Sequence, residues 1–159
     1  MPIPRSLELK FIPLERGAQI PTKATAGAAC YDLTTNERGF LSPTNARLTL
    51  STGVGIELPP NHVGLVCSRS GLASKHGVFV LNAPGIIDED YQGPIKVILG
   101  LQPANLLWPE DNAAYEFLPG MRIAQLMILP KASFVVSLAS DFAAATVRGS
   151  AGLGSTGVN

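Results

Sequence analysis

The chain has 159 residues, enough for one domain with a substantial core. Hydrophobic residues make up 46% of it and charged residues only 15%, which excludes an intrinsically disordered chain. Formal net charge is zero, from twelve basic and twelve acidic residues, so bulk electrostatics point to neither nucleic acid nor a membrane surface, and any site for a polyanion must be local.

In chain order, the first eleven residues, MPIPRSLELKF, lack the apolar run of a signal peptide, and no segment reaches the ~20 apolar residues of a membrane helix. These features predict an intracellular protein, cytoplasmic or nuclear. Cys30 and Cys67 show no metal-ligand spacing and read as ordinary buried thiols, with nothing requiring a disulfide. Sixteen glycines and thirteen prolines punctuate the chain closely, which argues against long helices. Short runs of period two recur instead. Val54, Ile56 and Leu58 alternate with Gly55 and Glu57; Val63 and Leu65 follow the turn signal Pro59-Pro60-Asn61; Val78 and Val80 flank Phe79. Ile95–Leu99 is apolar except for Lys96, and Ile123–Leu129 except for Gln125. Short strands at this spacing predict an all-β sandwich or barrel. One short helix is expected around Ser70–His76, with Ser68 or Ser70 as its N-cap. The glycine-rich end has too little apolar surface to hold itself down, and mobility without ligand is expected of it.

Five places could carry chemistry. In Gly85–Gly93, GIIDEDYQG, two isoleucines run into three acids between bracketing glycines, which predicts a β-hairpin with its acids near the turn. Asp88, at the apolar edge, is a candidate general base, although a solvated acidic turn gives the same pattern. Arg69-Ser70-Gly71 stands between a strand and a helical turn, where backbone N–H groups, a hydroxyl and a guanidinium can hold phosphate; a capped surface turn would look alike. The segment Arg148–Gly157, RGSAGLGSTG, lets backbone approach a ligand closely but lacks the spacing of a Walker A loop. Gln125 is a lone amide in an apolar strand, sharing a face with Ile123, Met127 and Leu129; it is either buried with partners or on a wet edge. Asp32, a lone acid in an apolar strand, could orient a metal-bound water or satisfy backbone amides.

Taken in order, AGAACYDL, SRSGLASKHG, GIIDEDYQG, GMRIAQL and RGSAGLGSTG resemble the five motifs of the trimeric dUTPase family, over about Ala24 to Gly157. The resemblance implies a β-jelly-roll over residues 1–147 with a flexible glycine-rich lid at 148–159, a homotrimer with shared active sites, and hydrolysis of dUTP to dUMP and pyrophosphate. That reaction would limit uracil incorporation into DNA and supply dUMP for thymidylate synthesis. Asp88 would activate the water attacking the α-phosphorus, and Tyr91 would pack on deoxyribose and exclude a 2′-hydroxyl. Backbone around Gly85, Ile86 and Lys96 would read uracil, with Asn82 shaping that hairpin. Arg69, Ser70 and Gly71 would bind phosphates, and Gln125 the phosphate chain or the water. Arg148, Leu153, Gly154 and Ser155 would belong to the closing lid, with Arg148 and Ser155 at the γ-phosphate. Mg2+ would be held mainly by phosphates and water, with Asp32 reaching it through water. The chain departs from the family pattern at Cys30, Ser68, Ala151 and Leu153. Leu153 stands where an aromatic usually stacks on uracil, which predicts a weaker lid. A dCTP deaminase shares the implied fold but needs a glutamate near C4 of cytosine, and IIDEDYQG reads as the hydrolase. A catalytically silent binding module is the alternative from another class.

Overall fold

The computed structural model describes residues 7–102 and 114–150. Among these residues, eleven strands and one helix run in the order β1 Lys10–Pro13, β2 Tyr31–Thr34, β3 Gly39–Leu41, β4 Arg47–Ser51, β5 Val54–Glu57, β6 His62–Cys67, α1 Ser70–His76, β7 Val78–Val80, β8 Gly85–Ile87, β9 Lys96–Leu101, β10 Tyr115–Phe117 and β11 Arg122–Pro130. All pairings are antiparallel. They form a four-stranded sheet ordered β2-β11-β6-β8, a three-stranded sheet β4-β9-β7, and the two-stranded sheets β1-β5 and β3-β10. This is the expected all-β jelly-roll with one short helix.

The core lies between these sheets. Leu33, Leu41, Leu50, Ile95, Leu99, Phe117, Ile123 and Leu126 are sealed from solvent, and each comes from a strand or its immediate flank. The period-two runs account for β5, β6, β7, β9 and β11, because alternate side chains of a pleated strand share a face. In β11 the alternation slips. The register against β2 shifts between Arg122 and Ala124, and Ile123 and Ala124 are both buried. Such an irregularity puts one extra residue on one strand and re-aims the side chains beyond it. Gln125 therefore lies with half-buried Met127, while Ile123 enters the core, a correction to the face expected from simple alternation.

Three further expectations change. Gly85–Gly93 does not lie in a two-stranded hairpin with the next strand in sequence. β8 pairs with β6, whereas β9 pairs with β4 and β7. Residues 88–95 are a strap from one sheet to another, fixed at its far end by Ile95, whose N–H donates to the Val54 carbonyl at 2.8 Å. Neither Ser68 nor Ser70 caps α1. Arg69 occupies the N-cap with extended backbone and no side-chain cap bond, and the Ser68 hydroxyl accepts the Val80 N–H at 2.8 Å instead. The helix ends at Gly77 in the left-handed region (φ 61°), a conformation glycine adopts without Cβ strain. Cys30 and Cys67 are free and half-buried rather than fully buried.

Candidate active site

Two groups of residues form around the four-stranded sheet. The first lies where β2, β11 and β6 meet the start of α1. Gln125 faces Asp32 on one side and Cys67 on the other, so it is central in the sheet and not on an edge. Its Nε2 donates to the Ser68 carbonyl at 2.9 Å, holding the residue before Arg69. Arg69 Nη1 donates to the Arg122 carbonyl at 2.9 Å, and its Nε lies 3.7 Å from Asp32 Oδ1. Arg122 Nη1 donates to Asp32 Oδ2 at 3.1 Å. Each Asp32 oxygen thus faces a guanidinium, and the arrangement fixes Arg69 from both its backbone and its side chain. Ser70 and Gly71 are exposed, and a Cβ on Gly71 would meet nothing within 4 Å. This corner presents a guanidinium, a hydroxyl and exposed backbone N–H groups to solvent, which suits an anion.

Arg122 was not singled out from the sequence. Its role comes from the β2–β11 register, which no local pattern gives. Tyr115 sits close enough for the Arg69 charge to act on it, but burial dominates and pushes its phenol above the ordinary value.

The second group is the strap after β8. Tyr91 donates its phenol hydrogen to the Pro94 carbonyl at 2.9 Å, and its N–H donates to the Asp88 carbonyl at 3.2 Å. A Cβ on Gly93 would meet Tyr91 Oη at 2.6 Å, so glycine is what lets the ring fold back over the strap. Asp88 is exposed, and its carboxylate has no hydrogen-bond or ion-pair partner among the described residues. Its neighbour Glu89 is occupied, by Lys131 at 3.0 Å and the Asn61 N–H at 3.0 Å. Gly85 is buried beside Asn82: a Cβ there would lie 3.4 Å from Asn82 Nδ2 and 3.3 Å from Val66 Cβ. Asn82 thus stands against the start of β8. Ile86 points outward and is more than half exposed, and Lys96 is exposed opposite Ser51 of β4. A cleft of about 260 Å³ opens between β1–β5 and the strap, lined by Ile12, Leu14, Gly55, Glu57, Glu89 and Tyr91 among others. Of the sequence-selected residues only Tyr91 reaches it.

One chain does not bring the two groups together. Gly64 pairs with Ile87, so Asp88 continues opposite Val63. Ser68 lies five residues further along the same strand, roughly 16 Å away at about 3.3 Å per residue. Arg148 follows a long exposed arm, and Leu153, Gly154 and Ser155 lie outside the described residues. Among the described residues, no three His, Cys, Asp or Glu side chains cluster as metal ligands.

The sequence matches the family model described as dUTPase over residues 16–157. The chain belongs to the dUTPase family. Its relatives include the deoxyuridine 5'-triphosphate nucleotidohydrolase of Chlamydia trachomatis serovar D, 42% identical over 151 residues, covering 92% of this chain and 97% of that one. The enzyme of the same name from Anaeromyxobacter sp. is 42% identical over 142 residues, covering 87% and 88%. Among solved structures, a Staphylococcus bacteriophage 80alpha dUTPase with dUPNHPP superposes with a TM-score of 0.83 at 26% identity, covering 95% of this chain and 99% of that one. As a dUTPase, the chain is a dUTP diphosphatase.

Proposed function

We propose that the two groups are the two sides of one active site, brought together between copies of the chain, and that Asp88 is the base. The observation that carries this is the contrast between the acids. Asp32 faces two arginines and Glu89 holds a lysine and a backbone N–H, whereas Asp88 and Asp90 are exposed and have no side-chain partner among the described residues; of these two, Asp88 directly follows Ile87, which is paired with Gly64, so its backbone is the better fixed. An unengaged carboxylate can take a proton from water as that water attacks. The water oxygen bonds the α-phosphorus of dUTP, the bond from that phosphorus to the bridging oxygen breaks, and pyrophosphate leaves with dUMP behind. Arg69, Ser70 and Gly71 stabilise phosphate charge, and Gln125 holds the loop that presents them. Tyr91, folded over Gly93, closes the space a 2′-hydroxyl would need, and backbone at Gly85, Ile86 and Lys96 reads uracil beside Asn82.

The donor set fits a metal that arrives with the substrate. Mg2+ keeps several waters and binds through one or two carboxylates plus substrate phosphates. Among the described residues Asp32 is the one acid placed in the anion corner, and its arginine partners suit it to an outer, water-mediated role. When bound, Mg2+ would neutralise phosphate charge.

Assembly as a homotrimer is supported by the separation between Asp88 and Arg69 along the sheet, and by the arm after β11. Phe134, Val135, Val136, Leu138 and Phe142 are at least four-fifths exposed, an apolar run that one chain leaves uncovered. The arm leads to Arg148, and we place residues 148–159, with Arg148, Leu153, Gly154 and Ser155, as a lid over the phosphates of a site it reaches on another copy. In the cell this activity would keep uracil out of DNA and supply dUMP for thymidylate synthesis. No helix among the described residues is long and apolar enough to cross a membrane.

The test is pyrophosphate release from dUTP against UTP, dTTP and dCTP, with and without Mg2+. Release confined to dUTP, lost in Asp88→Asn while dUTP still binds, supports the reading. Ammonia release from dCTP, or equal inertness of wild type and variant, counts against it.

A further inference from the structure

The acid beside Asp88 has a built environment of its own. Pro59-Pro60-Asn61 turns the chain from β5 into β6, and Asn61 adopts a left-handed backbone (φ 60°), which asparagine tolerates better than other non-glycine residues. Its N–H donates to Glu89 Oε2 at 3.0 Å. Its carbonyl accepts the N–H of Lys131 at 2.8 Å, the first residue beyond β11. Lys131 then returns its ammonium to the same Glu89 oxygen at 3.0 Å. Three segments far apart in sequence close a ring at one carboxylate: the β5–β6 turn, the strap and the root of the C-terminal arm. The hydrogen bond from Lys131 is the chief cause holding the Glu89 carboxyl below its ordinary range; partial burial opposes it, and the Asn61 N–H and the nearby charges of Lys131 and His62 add to it.

We propose that Glu89 is a positioning residue for dUTP hydrolysis: held by Lys131 and the Asn61 backbone, it fixes the turn that carries Asp88 and ties that turn to the root of the arm. It does not touch substrate. The inference rests on the reading of Asp88 as base. Between Ile87, paired in β8, and Ile95, bonded to Val54, the strap's hydrogen bonds and ion pairs to other segments are, among the described residues, those of Glu89. Loosening it would let the base wander by fractions of an ångström, which lowers turnover more than ground-state binding.

The experiment compares Glu89→Gln, Lys131→Met, their double variant, Lys131→Arg and Asp88→Asn, each full-length, for kcat, KM and melting temperature with dUTP. The expected result is a fall of about tenfold in kcat for Glu89→Gln and Lys131→Met with KM within about twofold. The double variant should be no slower than either single one, because all remove one shared interaction. Lys131→Arg should restore turnover. Wild-type kcat in both singles, or Lys131→Arg as slow as Lys131→Met, would overturn the proposal while loss of activity in Asp88→Asn left the base assignment standing. Turnover retained in Asp88→Asn would remove the base assignment and this proposal together.

Discussion

Arg122 Nη1 donates to Asp32 Oδ2 at 3.1 Å across the β2–β11 pair, while the Arg122 carbonyl accepts a hydrogen bond from Arg69. One residue therefore braces the anion corner twice, once through its side chain and once through its backbone. Arg122→Leu keeps the backbone contact and removes the other. An exposed ion pair of this kind contributes at most about 1 kcal/mol to stability, so melting should barely move. KM for dUTP should rise several-fold, because Arg69 would then be the sole guanidinium on Asp32. Parallel melting and steady-state measurements check this; a large loss of stability with unchanged KM would contradict it.

Gln125 donates to Ser68 from the middle of the sheet. Gln125→Leu removes that donor and leaves a half-buried carbonyl unpaired, at a cost of about 1 kcal/mol. Urea unfolding should show that loss, and dUTP affinity should fall with it as the Arg69 loop loosens. Gln125→Glu should do worse, since it loses the donor as leucine does and also sets a half-buried carboxylate against the Ser68 carbonyl.

Gly93 gives the space that Tyr91 occupies. Gly93→Ala would drive a methyl group into the phenol and push the ring off the strap. The ratio of kcat/KM for dUTP over UTP should drop by about tenfold. Tyr91→Phe, which removes only the bond to the Pro94 carbonyl, should lower the ratio less.

The Glu89 carboxyl titrates lower in the folded chain than its ordinary value of 4.5. A depressed folded value means stability that is present above pH 4.5 and is lost as pH falls through the folded value. The denaturation midpoint of wild type should exceed that of Glu89→Gln at neutral pH, and the two should converge on acidification below 4.5. A gap that persisted at pH 2 would assign the difference to packing and not to charge.

The resemblance of RGSAGLGSTG to the family's fifth motif sets Leu153 where an aromatic residue is expected. Leu153→Phe should lower KM and raise kcat/KM for dUTP, with stacking on a base worth about 1–3 kcal/mol. An unchanged or lower kcat/KM would show that leucine already covers the base as well as a ring could.

Much of the architecture was legible because strands and turns leave local marks. The alternation through Val54–Leu58, the turn at Pro59-Pro60-Asn61 and the small-residue helix at Ser70–His76 all correspond to observed elements. What local pattern could not carry was partnership. Gly85–Gly93 and Ile95–Leu99 are adjacent in sequence and look like two arms of one hairpin, yet they belong to different sheets. Gln125 had two readings, wet edge or satisfied centre, and only the strands on either side of β11 decide between them. Arg122 and Lys131 look like ordinary surface cations until the register brings Asp32 and Glu89 to them. The residues that the proposed mechanism sets against substrate come from motif order. The residues that hold them in place required pairing across the fold.

The strap at 88–95 spans two sheets and ends on Ile95, which is sealed in the core. Asp88 is therefore suspended between two bodies whose spacing is set by side chains it never meets. A methyl group removed at Ile95 or Leu99 would let those bodies settle closer, and turnover would register the change. Substitutions that only retune the interior, such as those accumulated in adapting to temperature, would thus adjust the chemistry at a distance while leaving every group that meets the nucleotide untouched.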